Sequence, residues 1–149
     1  MSDARFEDAG APPLRLRAFE VSDLQVMSAL VQDAVFPASE MKFDARQRRF
    51  AVLVNRFRWE EKADTRPERV QSVLAFEDVT NVQTSGPEMR DSDMVLSLLS
   101  LEFEPGEDGT GRVILTLAGD GAIALQVEAL EVTLSDVTRA YAANTGARP

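Results

Sequence analysis

The alternation of apolar and polar residues predicts one helix followed by a series of strands. From Leu14 to Glu20 the two types alternate, as in a short strand. The period then becomes helical, and Ser22 stands as the N-cap of a helix from about Asp23 to Ala34, with Gln25 at capping-box spacing. The apolar face of this amphipathic helix consists of Leu24, Met27, Leu30, Val31 and Ala34.

After Pro37 the pattern becomes strand-like, and its longest strand runs from Arg49 to Trp59. Apolar residues occupy one parity in the first half of this strand and the other parity at Phe57 and Trp59. A strand that exchanges its apolar face in this way indicates a bulge or a sharp twist, which we expect near Asn55.

Two stretches of the chain resemble copies of one β unit, at about residues 41–84 and 101–141. Their openings, Met41–Asp44 and Leu101–Glu104, lie 60 residues apart, and each copy ends near an Asp-Val-Thr tripeptide, at Asp78 and Asp136, 58 residues apart. Repetition of this kind predicts two supersecondary units that bury their apolar faces against each other.

These patterns predict an α+β protein that is mainly antiparallel β. The helix packs on or plugs a curved sheet or partial barrel made of the two units, and Gly119-Asp120-Gly121 forms a hairpin turn in the second. The predicted core contains Leu24, Met27, Leu30, Val31, Phe50, Val52, Val54, Leu74, Phe76, Leu101, Phe103, Ile114, Leu125 and Val127.

A length of 149 residues corresponds to one domain. We expect a mobile leader at residues 1–13, a single globular domain at residues 14–143 and a tail at residues 144–149. No segment contains the roughly 18 consecutive apolar residues that a membrane helix requires, and the polar N-terminus lacks an apolar signal core. These features predict a cytoplasmic protein without a membrane partner.

The composition restricts the chemistry more sharply than the patterns do. The chain contains neither cysteine nor histidine. Thiol catalysis, disulfides, histidine-based hydrolysis and zinc sites built from these residues are therefore excluded. The net charge of −9 is also uneven: nine Lys/Arg against five Asp/Glu from Lys42 to Arg69, but two against thirteen from Phe76 to Asp136.

The candidate binding residues are Arg56, Arg58 and Trp59, with Arg49 earlier in the same strand. Arginines that alternate with aromatic residues suit single-stranded nucleic acid, because guanidinium groups neutralise phosphates and flat rings stack on bases. The alternative is a half-buried strand with a charge-paired face. A sequence pI of about 4.5 favours this alternative, because nucleic-acid-binding domains are normally basic.

Carboxylates provide a third interpretation, in which Glu102 and Glu104 share one strand face and form a metal-binding or hydrolytic pair. A charged face that protects an edge strand is the more common cause of such a pair. The residue patterns assign no catalytic residue, no metal ligand and no cofactor.

The combination of Leu14–Val35, Arg48–Glu60 and the closing run Leu130–Tyr141 resembles an uncharacterised family of small alphaproteobacterial proteins, a domain of unknown function. The resemblance implies a bacterial, cytoplasmic, single-domain protein and transfers no site. The Asp-Val-Thr endings also resemble those of pleckstrin-homology-like barrels.

The leading functional prediction is a non-enzymatic binding or scaffolding module that binds a protein partner or a second copy of itself. Sheets made of duplicated units leave edges that a homodimer can cover. Single-stranded nucleic-acid binding and carboxylate chemistry are the alternatives.

Overall fold

The computed structural model describes residues 12–60, 68–86, 93–137 and 141–142. Within these ranges the chain forms one α-helix, eleven strands and a short 3-10 turn. The helix is α1 (Val21–Leu30) and the turn spans Ala38–Glu40. The strands are β1 (Arg15–Ala18), β2 (Val35–Pro37), β3 (Met41–Asp44), β4 (Arg49–Phe57), β5 (Glu68–Phe76), β6 (Val79–Ser85), β7 (Val95–Pro105), β8 (Gly111–Leu117), β9 (Ala122–Val127), β10 (Val132–Asp136) and β11 (Tyr141–Ala142).

The predicted α+β class and the mainly antiparallel sheet are confirmed, and the sheet is curved and unclosed. The described strands follow the order β1-β10-β5-β4-β2-β7-β8-β9-β6, with β3 beside β4 and β11 beside β5. The short strand β2 connects the two halves, because it pairs with β4 at Val35 and with β7 along its whole length.

Each half of the sheet contains a three-stranded meander, and the strand that follows each meander crosses to the other half. The first meander is β3-β4-β5 and the second is β7-β8-β9. After the first, β6 pairs with β9; after the second, β10 returns to pair with β5. The two halves are therefore connected by two exchanged strands as well as by β2.

Of the two sequence signatures of the predicted repeat, the opening segments occupy similar structural positions and the closing tripeptides do not. Met41–Asp44 and Leu101–Glu104 both lie at the end of a strand that continues through a tight turn into its neighbour. The Asp-Val-Thr tripeptides do not correspond, because Asp78 precedes β6 whereas Asp136 is the last residue of β10. The internal repeat itself stays a prediction.

Helix α1 begins earlier than expected and without the predicted capping box. Glu20 is the N-cap residue and makes no side-chain cap hydrogen bond, so Ser22 lies inside the first turn. The carboxylate of Asp23 instead accepts a hydrogen bond from the Phe19 amide at 3.3 Å. The assignment of Ser22 as N-cap is wrong because Val21, before it, already has helical backbone geometry.

The helix also ends before Ala34, the predicted end. After Leu30 the chain turns, and Asp33 adopts a left-handed conformation with φ 66°. The Asp33 amide then donates to the Leu98 carbonyl at 2.8 Å, and the Leu98 amide donates to the Ala34 carbonyl at 2.8 Å. Hydrogen bonding to β7 thus replaces the last predicted helical turn.

Strand β4 has no bulge and no exchange of faces, so the irregularity predicted near Asn55 is wrong. The register between β4 and β5 is continuous from Phe50 opposite Phe76 to Phe57 opposite Arg69. The buried parity continues through Val54 to Arg56, which is fully buried. The apolar pattern is interrupted only because an arginine occupies the core face.

The core extends across both halves of the sheet, and most of the predicted core residues are buried in it. Leu30 and Phe103 are partly buried against this core. Ile114 is a wrong assignment, because it lies on the outer face of β8 between the fully buried Val113 and Leu115.

The hairpin predicted at Gly119-Asp120-Gly121 is confirmed. Strands β8 and β9 pair in antiparallel register, and the Leu117 amide donates to the Gly121 carbonyl at 2.9 Å. Gly119 and Asp120 both have positive φ, at 82° and 70°, a conformation that glycine and aspartate tolerate better than most residues.

Two sequence predictions fall mostly outside the described residues: residues 1–11 of the leader and the tail at 144–149. The domain boundaries stay predictions. In the described part of the chain, no helix combines the length and hydrophobicity needed to cross a bilayer.

We expect Gly111→Ala to destabilise the β7–β8 hairpin. A Cβ atom at this position would lie 2.5 Å from the Glu104 carbonyl oxygen and 2.6 Å from the Phe103 ring. Strain of this kind costs about 1–3 kcal/mol of unfolding free energy, measurable by chemical denaturation. Gly109→Asn is the matched control, because Gly109 has φ 84° and open space around it. Equal losses for the two variants would contradict the close packing at Gly111.

Candidate binding site

The candidate site is the end of β4, where alternate residues point to opposite faces of the sheet. Arg56 lies on the core face and has no exposed surface. Its five N–H groups are all engaged, by Ser72, the Phe57 carbonyl, Glu60 and Asp136. The contact with Glu60 is bidentate, at 3.0 and 2.9 Å. A buried guanidinium that is hydrogen-bonded in this way is compensated in charge and in geometry.

The carboxylate of Asp136 connects four elements at this point. It accepts hydrogen bonds from Arg56 on β4 at 3.1 Å and from the Ser72 hydroxyl on β5 at 2.7 Å. It also accepts one from the Leu14 amide at 2.8 Å, immediately before β1. The side chain of Asp136 is 3% exposed, so these bonds are shielded from water. We name Arg56, Glu60, Ser72 and Asp136 the ion cluster.

The ion cluster shifts the pKa values of two of its members. Burial of Glu60 acts to raise the pKa of its carboxyl, but the hydrogen bond from Arg56 and the charges of Arg56 and Arg58 outweigh burial and hold that pKa below 4.5. Burial of Arg56 acts to lower the pKa of its guanidinium, but its hydrogen bonds to Glu60 and its attraction to Asp136 outweigh burial and raise that pKa overall. Both groups are therefore charged at neutral pH.

The opposite face of β4 carries an aromatic surface. The Phe57 ring lies 5.3 Å from the Trp59 ring between centroids, with an interplanar angle of 59°. The Arg69 guanidinium lies 4.0 Å from the centroid of the Phe57 ring, a cation–π contact between directly opposed residues of β4 and β5. Leu53 and Val73, also opposed, continue this face and are half-buried. We name Leu53, Phe57, Trp59, Arg69 and Val73 the outer face.

Trp59 is both exposed and fixed in orientation. Its residue surface is 47% exposed, and its indole N–H donates to the Gln32 carbonyl at 3.0 Å, just beyond α1. The indole N–H is therefore anchored to the segment after α1, the ring packs near Phe57, and about half of the residue surface faces solvent. This arrangement presents a large apolar group with little conformational freedom to lose on binding.

The four predicted site residues do not form one surface. Arg56 belongs to the ion cluster, and the Arg58 side chain is 6% exposed and contacts Glu60 at 3.7 Å and Glu68 at 3.2 Å. Arg49 lies at the other end of β4, about 23 Å from Arg56 at the usual rise per residue of a strand. It pairs with Glu77 at 2.9 Å. The three arginines are all in ion pairs, whereas Trp59 is uncharged and 47% exposed. A binding role for the set stays a prediction.

Sequence reasoning did not connect Asp136, Ser72, Glu60 or Arg69 with this region. A signal for Ser72 and Arg56 existed, because both occupy the buried parity of otherwise apolar strands. Two polar residues on the core faces of adjacent strands imply a partner in the core. No sequence pattern indicated that Asp136, 80 residues from Arg56, would supply it.

The two residues of the predicted carboxylate pair, Glu102 and Glu104, share one exposed face of β7, as expected. Glu104 pairs with Arg112 across the hairpin at 2.7 Å, and both side chains are about half exposed. Among the described residues, no three Asp or Glu side chains converge into a group that could hold a metal ion. Glu102 and Glu104 therefore have the surroundings of a charged strand face.

The described residues thus form a small α+β protein with a curved antiparallel sheet, one helix, a buried ion cluster and a half-exposed aromatic face. The chain belongs to the DUF2948 family, described as a protein of unknown function, whose model matches residues 14–149. The predicted family resemblance is thereby confirmed, whereas the alphaproteobacterial origin stays a prediction. No curated protein and no solved structure matches the chain, so the pleckstrin-homology-like form also stays a prediction.

We expect Arg56→Met to cost about 3–5 kcal/mol of unfolding free energy, because it removes the counter-charge of the buried Asp136 carboxylate and leaves Glu60 with only the longer contact to Arg58. Arg49→Met is the matched control, since the ion pair of Arg49 is exposed and should contribute about 1 kcal/mol or less. Urea denaturation of both variants measures the difference. Similar losses would show that the ion cluster is no more important than a surface pair.

The lowered pKa of Glu60 predicts acid sensitivity. A carboxyl whose pKa is lower in the folded state stabilises the protein above its unfolded pKa, and this stabilisation is lost as the pH falls through the folded pKa. We therefore expect wild type to have a higher unfolding free energy than Glu60→Gln near neutral pH. This difference should decrease as the pH falls below 4.5. Denaturation curves across this range measure it, and a pH-independent gap would contradict the assignment.

Proposed function

We propose that this protein is a non-enzymatic interaction module that binds a protein partner through the outer face. The observation that carries the proposal is Trp59, half exposed yet held by Gln32 and packed against Phe57. Tryptophan and arginine are enriched among the residues that dominate protein–protein binding energy. The outer face places a tryptophan beside Phe57 and Arg69, with the half-buried Leu53 and Val73 extending its apolar area.

The charges around the outer face favour a protein over a nucleic acid. Binding of single strands requires cations that are free to neutralise phosphates. Arg56, Arg58 and Arg49 instead contact carboxylates of the same chain. Because breaking these contacts would leave carboxylates unpaired, a partner with an apolar surface matches the outer face better than a polyanion does.

Single-stranded nucleic acid is the second candidate, and the exposed ring of Trp59 beside Phe57 and Arg69 is the observation that favours it. Bases stack on such rings without sequence preference. This candidate predicts that an oligonucleotide quenches the fluorescence of the sole tryptophan and that added salt weakens the effect. A protein partner would be less sensitive to salt.

A second copy of the chain is one possible form of the partner. In the described sheet, β1 and β6 are the terminal strands, so their outer edges are available for pairing. A homodimer that pairs these edges is therefore part of the proposal. The proposal also includes a cytoplasmic setting, which the absence of cysteine fits. Sedimentation of the purified protein distinguishes self-association from binding of a different protein.

We expect Trp59→Ala to remove binding while leaving the fold intact, because Trp59 is half exposed and lies outside the hydrophobic core, so that its loss costs about 0.5–3 kcal/mol. The measurement is affinity purification with tagged full-length protein, followed by direct binding of each retained protein at two salt concentrations. Phe43→Ala is the matched control, since Phe43 is an aromatic residue 40% exposed on β3, outside the outer face. Partners retained equally by both variants would contradict the proposed surface.

A further inference from the structure

A cleft separates the first half of α1 from the second half of β7. At one end the two elements touch, because the Ser28 hydroxyl accepts a hydrogen bond from the Leu101 amide at 2.9 Å. Towards the start of the helix a cleft of about 240 Å³ lies between them. The helix contributes Val21, Leu24 and Gln25 to its lining, and the strand contributes Leu101–Glu104.

The strand side of this cleft is a sheet edge. Strand β8 pairs with one edge of β7 up to Pro105, and in the described sheet β2 covers the opposite edge only from Val95 to Ser97. The bond from the Leu101 amide to Ser28 shows that the backbone groups of Leu101 point away from β8. Because hydrogen-bonding direction repeats every second residue, the N–H and C=O of Phe103 point to the same side, into the cleft.

Four of the seven residues that line the cleft are apolar: Val21, Leu24, Leu101 and Phe103. Leu24 and Leu101 are 1% and 3% exposed, whereas Val21 at the rim is 46% exposed. The Phe103 ring is held in place, because it covers Gly111 so closely that no side chain fits between them. A strand edge beside a preformed apolar pocket is the arrangement that binds extended peptides: backbone hydrogen bonds supply affinity and the pocket accepts one side chain.

The charge around the cleft defines the chemistry of its occupant. Glu102 and Glu104 line it, and Glu20 and Asp23 stand at the start of the helix. Arg112 offsets Glu104 at 2.7 Å, which leaves the surroundings acidic. Acidic surroundings attract a basic segment, and a second copy of this acidic chain is a poorer electrostatic match for the cleft.

We propose that this cleft binds an extended segment of a partner protein, in which one apolar residue is flanked by Lys or Arg. The segment adds as a strand to the edge of β7 at Phe103 and places its apolar side chain against Leu24, Leu101 and Phe103. The site is separate from the outer face, so a negative binding result for one surface does not exclude binding at the other.

The test starts from a display library of random peptides of about ten residues, selected on the full-length protein. Enrichment of sequences with one apolar residue between basic residues is the expected result. Enriched peptides are then synthesised, and their affinity is measured by fluorescence anisotropy. Failure to enrich any sequence, or enrichment of acidic sequences, would overturn the proposal.

Two variants of the same helix locate the binding. Val21→Arg places a cation at the rim of the cleft and should weaken binding of a basic peptide by about tenfold or more. Val26→Arg is the matched control, since Val26 is 58% exposed on the side of α1 away from β7. Trp59→Ala should leave peptide affinity unchanged, which separates this site from the outer face. Equal affinity for the Val21→Arg and Val26→Arg variants would overturn the proposal.

Hydrogen exchange of the complex tests the strand addition itself. We expect the bound peptide to slow exchange at the Phe103 amide and to leave Ile114, on the neighbouring strand, unchanged. Peptide binding without protection at Phe103 would contradict the backbone pairing. If sedimentation instead shows a dimer that Val21→Arg dissolves, the occupant is a second copy and the proposed partner is wrong.

Discussion

The fold depends on the contact between a buried arginine and the aspartate that ends β10. Arg56 has no exposed surface, and Asp136 accepts hydrogen bonds from β4, from β5 and from the residue before β1. A buried charge without its partner is strongly destabilising, so each group of the ion cluster requires the others. Such a cluster adds less net stability than apolar packing would, but it fixes which elements meet and in which register. Here it joins β10, one of the two exchanged strands, to β4 and β5.

The exchange of strands makes the two halves of the sheet mutually dependent. The other crossing, at Asp78 with φ 59°, is held by backbone bonds from the Val79 amide to the Arg48 carbonyl and from the Glu128 amide to the Asp78 carbonyl.

The cations of β4 are directed inward or into ion pairs, and this leaves aromatic rings on the outer face. The outer face is the solvent side of β4, the strand that carries Arg56 of the ion cluster. The cleft lies at β7, which is separated from β4 by β2.

Local patterns predicted the class of the fold, most of its core and its hairpin, because alternation and turn residues act over a few positions. They failed where a distant residue decides the outcome. The parity change at Phe57 suggested a bulge, whereas the strand is regular and Arg56 is accommodated by Asp136, 80 residues away. The helix was predicted to reach Ala34, but hydrogen bonds with Leu98 end it earlier. The binding role predicted for Trp59 stays a prediction, and no sequence spacing reveals the hydrogen bond from its indole to the Gln32 carbonyl.

Residue-level hydrogen exchange of the Asp136→Asn variant tests the central claim most directly. Asparagine keeps the shape of the side chain and removes the charge that Arg56, Ser72 and the Leu14 amide share. If the ion cluster holds the exchanged strand in place, amides of β1 and β10 will lose protection first while the hairpin of β8 and β9 keeps it. Unchanged protection in β1 and β10, or a uniform loss across both halves, would contradict the account.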